Sequence, residues 1–348
     1  MEKANILRGF LEKGLQLDFE SLEFFYNNPN KIDVFFEKIS TESKPTTVTM
    51  DFINKTIKEE NENLGFRILK TPKQLKNILN VDDISRVLNA RYIFLQKILK
   101  SRIDLVNLIS INRITPKAKR FSAIIIIKEK IDDEKAILGE DDTGEYKFFF
   151  MHGQDYEQLL PDDVVGVVCE NAETAKVEKI IWPDLSMKRE INKTREDLFV
   201  VISNHQEDAQ DNDHDASKQK ILLEKGHIKI GPNLLDFPST IEVSGGIIIL
   251  LMDSCFLRKY SNFEKDEPAF IVSLLRRRNL DPTFQFNQAI FSNDPFIIEH
   301  APDIFVVFGS AEASSSNYKG TTILTIPHSD TEKTSWIINL KTREVIKK

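Results

Sequence analysis

Cysteine is nearly missing: Cys169 and Cys255 stand alone and far apart, so neither a disulfide framework nor a CxxC zinc site can be built. A reducing, cytoplasmic setting is expected. Long apolar runs are missing too. AIIII at 123–127 and IIILLM at 247–252 fall far short of the roughly 20 residues that a membrane-spanning helix needs, and both read as core strands. The opening MEKANILRGFLEKG lacks the continuous apolar stretch of a secretory signal, so no membrane address is expected. Positive charge is not in excess: 47 Lys and Arg face 54 Asp and Glu, for a net −7. No chain-wide field draws in a polyanion, and any contact with nucleic acid must be local or shared with a partner. GxGxxG, P-loop and internal repeats are absent as well, which removes the simplest nucleotide-binding and solenoid readings.

What remains is a chain of 348 residues with 41% apolar and 29% charged side chains, ordinary for a folded protein and long enough for more than one core. Residues 1–40 have helical spacing. Ile6, Leu7, Phe10 and Leu11 mark a first helix ended by Gly14, Asp18 caps a second with Leu22, Phe25 and Tyr26, and NNPN at 27–30 precedes a third with Ile32, Phe35, Phe36 and Ile39. Phe24, Phe25, Phe35 and Phe36 form either the core of this module or a base-stacking platform, and aromatic residues at helical spacing favour the core. Residues 41–80, polar and lysine-rich with the charge run KEENEN at 58–63, read as a partly ordered linker. Ile84, Val87, Leu88, Tyr92, Leu95, Ile98 and Leu99 then predict a helix of about five turns.

From 103 to 183 the period shifts to two. LVNLISI, FSAIIIIKEK, KAILGEDDTGEYKFFFM, DVVGVVCE and AKVEKIIWP, with turn signals DDTG and LLPDD, predict five short strands closing an OB-type barrel; with the helix before it, this unit spans 81–185. Lys117, Lys119, Arg120, Lys128 and Lys130 fall near one end of its sheet. They either track a phosphate backbone or, the weightier alternative, keep an edge strand soluble. Residues 197–348 alternate strands with polar segments and predict a mixed sheet flanked by helices, with any site at the strand ends. The fold class expected is α+β and multidomain.

The order of these parts resembles the small subunits of archaeal family-D DNA polymerase, which share their architecture with the B subunits of eukaryotic replicative polymerases. KGLQLDFESLEFFYNNP is similar to the family's N-terminal helical domain, DDISRVLNARYIFLQKILKSR to the helix before its barrel, and GEDDTGEYKFFF to a barrel strand pair. IIWPDL resembles the exit from the barrel, and LLRRRNLDP followed by APDIFVVFG the C-terminal domain. The resemblance implies that residues 197–348 form a calcineurin-like phosphoesterase domain, here truncated. In the family that domain holds two metal ions, about 3.5–4 Å apart, for 3′-to-5′ exonuclease proofreading.

Motif by motif the expected ligands are missing. The DxH pair belongs near LFVVISNHQED, where Ser203 and Asn204 stand; no GD motif follows, and Asn204 and His205 echo GNH after a serine. Asp253 ends IIILLMDSC where a histidine is expected, and the GHxH motif is Gly309, Ser310, Ala311 and Glu312. Asn204, His205 and Asp253 are too few for two ions, so no catalytic residue, metal or cofactor is expected. The acidic segment HQEDAQDNDHDASK at 205–218 is similar to a calcium loop, but Ala216 and Leu222 replace its turn glycine and bidentate glutamate. Arg276, Arg277 and Arg278 fall at a helix end and serve either the helix dipole or a contact with nucleic acid or a partner. The resemblance implies an inactivated accessory subunit that scaffolds the large catalytic subunit and meets DNA through the complex. The alternatives are a metal-dependent exonuclease built on Asp253, His205 and the acidic segment, and a stand-alone single-strand-binding barrel.

Overall fold

In the computed structural model the described residues are 3–27, 32, 35–36, 47–50, 52–53, 65–76, 81–151, 156–170, 173–205, 218–224, 226–283, 290–291, 294–328 and 332–348. Helix α1 (Lys3–Glu12) stops before Gly14, whose φ of +78° favours glycine. After β1 (Gln16–Leu17), α2 (Phe19–Asn27) starts at Asp18, whose carboxylate accepts the Ser21 amide at 2.8 Å. Strand β2 (Thr47–Val48) pairs parallel with β1. Phe10, Phe25 and Phe35 are fully buried in this module, with the Phe10 and Phe25 rings 4.9 Å apart, while Phe24 and Phe36 pack against them. The aromatic residues are its core and not a base-stacking platform. Ile32, Phe35 and Phe36 are helical, as their spacing predicts, and Ile39 lies outside the described residues.

The stretch expected to be a linker supplies β3 (Phe66–Lys70) and β4 (Gln74–Lys76). Strand β3 becomes the edge of a C-terminal sheet. Its polarity misleads because Lys70 is buried, donating to the Ile297 carbonyl at 3.1 Å and pairing with Glu299 at 2.6 Å. The run KEENEN lies outside the described residues. Helix α3 (Val81–Lys100) carries Asp82 and Asp83 in its first turn and Lys97 and Lys100 in its last, which suits its dipole. Tyr92, Leu95 and Leu99 lie against Ile124, Ile126, Val164, Val168 and Ile181 on the outside of the barrel.

Strands β5 (Phe121–Ile131), β6 (Ala136–Asp141), β7 (Gly144–Phe150), β8 (Val164–Cys169) and β9 (Lys176–Ile181) close a barrel in the order β5-β6-β7-β9-β8. Only the β7–β9 pair is parallel. The run AIIII is unbroken because Ala123, Ile125 and Ile127 fill the barrel while Ile124 and Ile126 face α3, so both faces are dry. Burial pushes the Cys169 thiol up to about 12, which keeps it an inert core group. The allocation of strands differs from expectation. KAILGEDDTGEYKFFFM folds as the hairpin β6–β7, its turn held by Thr143 donating to Asp141 through both amide (2.7 Å) and hydroxyl (2.6 Å). LVNLISI contributes only an isolated bridge between Leu108 and Ser122.

The C-terminal part is two sheets. Its elements are β10 (Phe199–Ser203), β11 (Lys218–Glu224), β12 (His227–Ile230), β13 (Asn233–Leu235), β14 (Ser239–Val243), β15 (Ile247–Asp253), α4 (Ser261–Lys265) and α5 (Glu267–Arg277). They continue with β16 (Ile290–Phe291), β17 (Ile304–Ser310), β18 (Ser314–Tyr318), β19 (Thr321–Pro327), β20 (Ser335–Asn339) and β21 (Val345–Lys347). One sheet runs β13-β12-β11-β10-β20-β21 and the other β18-β19-β17-β15-β14-β3, with β16 paired to β4 beside them. Ile304, Val306 and Phe308 point between the sheets, with Val200, Ile202 and Ile338. Phe305 and Val307 point outward into the cluster formed by Phe263 of α4 and Phe270, Ile271, Leu274 and Leu275 of α5. The architecture is α+β, and among the described residues no helix is long and apolar enough to cross a membrane.

Arg91 ties α3 to this part: its side chain is 2% exposed, donates to Asp294 at 3.2 Å and reaches the Asp281 carbonyl at 3.0 Å. Removing one partner of a buried pair strands the other. Arg91→Met is expected to lower the unfolding free energy by about 3 kcal/mol, read from the urea midpoint.

Candidate functional site

Strands β15, β17 and β19 run parallel, so their C-terminal ends at Asp253, Ser310 and Pro327 form one rim, where ligand crevices of such sheets open. The end of β10 joins it, because the Asn204 amide donates to the Pro327 carbonyl at 2.8 Å. The fold therefore brings Asn204, Asp253 and the 309–312 segment to a shared edge.

Each of these polar groups is engaged in holding the fold. Asn204 is buried, gives its second amide hydrogen to Glu332 O at 2.7 Å, and accepts the Thr334 amide at 2.9 Å. Asp253 accepts the Cys255 amide at 2.8 Å, capping the turn that follows. Partial cover of the Cys255 thiol, with the Asp253 carboxylate beside it, pushes that thiol up to about 12. Gly309 has φ +76°, and a Cβ there would lie 2.9 Å from the His328 ring and from Ser254 Oγ, which itself donates to the Gly309 carbonyl at 2.6 Å. Ser310 is buried, the Ala311 amide donates to Glu267 at 3.2 Å, and Glu312 is exposed.

Sequence reasoning missed His328, which meets Arg258 with Nε2 and Nη2 2.8 Å apart. The available signal was a histidine directly after the strand run TTILTIP. Among the described residues no group of three or more His, Cys, Asp and Glu side chains is placed to hold a metal ion. The acidic residues of 206–217 lie outside the described residues. The donors that are described do not fit a two-ion site. No protein-family model matches the chain, and no curated protein matches it.

The basic residues of the barrel are largely spent. Arg120 pairs with Glu178 at 2.8 Å, Lys128 with Glu145, and Lys130 donates to the Leu159 carbonyl at 2.8 Å with its ammonium 4.4 Å from the Tyr156 ring centre. Lys117 and Lys119 are exposed. The Arg120 and Lys128 pairs lie on the exposed surface of the barrel.

The arginine triplet divides three ways. Arg277 corrects the expectation for the triplet, being buried on Asp163 at 2.9 Å with its guanidinium 4.7 Å from the centre of the Trp182 ring, out of reach of nucleic acid or a partner. Arg276 reaches the Gln158 side chain at 3.3 Å and also overlies Trp182. Arg278, at φ +51°, ends α5 and donates to the Glu299 carbonyl at 3.2 Å.

Asn204→Ala is expected to cost about 1–3 kcal/mol of stability, equally in EDTA and in manganese, since it orphans buried backbone groups. A manganese-dependent rise in the parent's melting temperature that the variant lacks would assign Asn204 to a metal. Gly309→Ala is expected to cost more than about 1 kcal/mol from its backbone conformation alone, measured by thermal melting.

Proposed function

We propose that this chain is a non-catalytic accessory subunit of a family-D replicative DNA polymerase, whose barrel and two-sheet domain hold the large catalytic subunit. The reading starts from the segments that resemble the family in order along the chain. The observation that carries its non-catalytic part is Asn204: a ligand position of the family's site is consumed by three structural hydrogen bonds to 327–334. Gly309, Ser310, Ala311 and Glu312 supply no histidine in place of GHxH.

Two finer assignments belong to the same reading. Counted along the chain, the barrel strands lie in the order first, second, third, fifth, fourth, which supports an OB-type barrel. The paired six-stranded sheets, with parallel strands at the centre of one and helices on its outer face, support a reduced calcineurin-like phosphoesterase domain. In such a domain the apolar layers persist without ligands, because packing between sheets needs no metal. DNA is then met through the assembled polymerase.

Co-expression with a family-D large subunit is expected to give a complex of the two chains that survives gel filtration. A monodisperse chain that ignores the large subunit would contradict the proposal. In a manganese-dependent exonuclease assay the chain alone is expected to be inactive; activity abolished by His205→Ala would instead establish a rearranged metal enzyme.

A further inference from the structure

The segment leaving the barrel, 182–189, is a strap on which basic side chains from three separate parts of the chain converge. Arg102, just past α3, donates to the carbonyls of Pro183 (2.9 Å) and Asp184. Arg276 overlies Trp182, its guanidinium 5.4 Å from the ring centre. Lys319 and Tyr318, from the β18–β19 turn, both bond the Asp184 carboxylate, at 2.5 Å and 2.9 Å. Arg278 lies beside them, close enough that Arg102, Asp184 and Arg189 all act on its charge.

Among the described residues the basic groups at this strap outnumber the acids. Asp184 is answered by Lys319, Glu299 by Lys70, and Asp303 lies 3.8 Å from Arg189. Arg102, Arg276 and Arg278 are left with carbonyls, an amide and a ring, and none has a carboxylate partner among the described residues. The Nε–H groups of Arg102 and Arg278 are buried and find no acceptor among those residues. Burial, with Arg102 nearby, holds the Arg278 guanidinium below its ordinary value. Like charges gathered on a half-buried strap repel one another unless an anion joins them. Guanidinium forks suit a tetrahedral oxyanion.

We infer that Arg102, Arg276 and Arg278 form a binding site for a phosphate group, either free or in the backbone of a single-stranded nucleic acid. The site does not depend on the accessory-subunit reading, since it stands on charge balance within this chain.

The test uses the full chain with two probes: inorganic phosphate, with chloride at equal ionic strength as reference, and a fluorescein-labelled oligo-dT. Phosphate is expected to raise the melting midpoint of the parent beyond chloride, and the double variant Arg102→Gln/Arg278→Gln to lose that rise. The same variant is expected to bind oligo-dT at least about tenfold more weakly, if the ligand is a nucleic-acid backbone. Lys341→Gln/Lys347→Gln, whose ammonium groups pair with Asp197 and Glu332 away from the strap, is expected to change neither readout. Phosphate stabilisation without oligo-dT binding assigns the site to a free phosphoryl ligand; loss of both in the variant assigns it to the backbone. Should the double variant misfold, Arg276→Gln and phosphate-dependent hydrogen-exchange protection of 182–189 in the parent carry the same test. Absence of any phosphate effect on the parent, or an effect equal in all variants, overturns the inference.

Discussion

Arg277 and Asp163 meet out of water, 114 positions apart in sequence, and the relation between barrel and sheets depends on that meeting. The guanidinium gives Nε to both carboxylate oxygens, at 2.9 and 3.2 Å, Nη2 to the Gln158 carbonyl, and Nη1 to Ser273 O at 3.3 Å. The carboxylate also accepts the Leu160 amide at 2.8 Å, and the Trp182 ring covers the cation. Burial pushes the Asp163 carboxyl up, against the pull of Arg277. A pair buried this far offsets its desolvation only when the remaining donors and acceptors are also satisfied, and here the surroundings are arranged to do so. The outcome is directional. A hydrophobic contact tolerates sliding, whereas this one fixes α5 against the loop before β8.

The same solution recurs at the other joints. Lys70 fastens the edge strand β3 to Glu299, and Arg189 closes the strap after the barrel through the carbonyls of Ala301 and Pro302. At the strand ends Asn204 does the equivalent with an amide. Asn204 and Asp253 are taken up in holding loops and turns, which is what the proposed scaffold role requires of them. The seam around 182–189 departs from the pattern, since among the described residues its basic groups outnumber its acids. An excess of charge is where a ligand, and not the fold, completes the balance.

Periodicity made much of this legible. Helical spacing located α1, α2 and α3, and short apolar runs located the barrel and the central strands β15, β17 and β19, because burial is written locally at periods of 3.6 and 2. The hairpin β6–β7 is legible in DDTG, whereas LVNLISI has the period of a strand and forms only an isolated bridge. Strand β3 was hidden by its lysine, whose partner lies 229 positions away. The arginine triplet shows the limit most clearly. Three identical neighbours have three fates, decided by Asp163, Trp182 and Glu299, none of which local sequence can associate with them. His328 was passed over for the same reason, its partner Arg258 lying 70 positions away and its close approach to Gly309 depending on strand register.

Buried ion pairs, Arg277–Asp163 and Arg91–Asp294, hold barrel, helix and sheets as a single unit. Native-state hydrogen exchange in rising urea tests it, on the parent and on Asp163→Asn. The account predicts that amides of β8 and α5 share one opening free energy in the parent and separate in the variant, the barrel opening first. Independent opening of the two in the parent would contradict it.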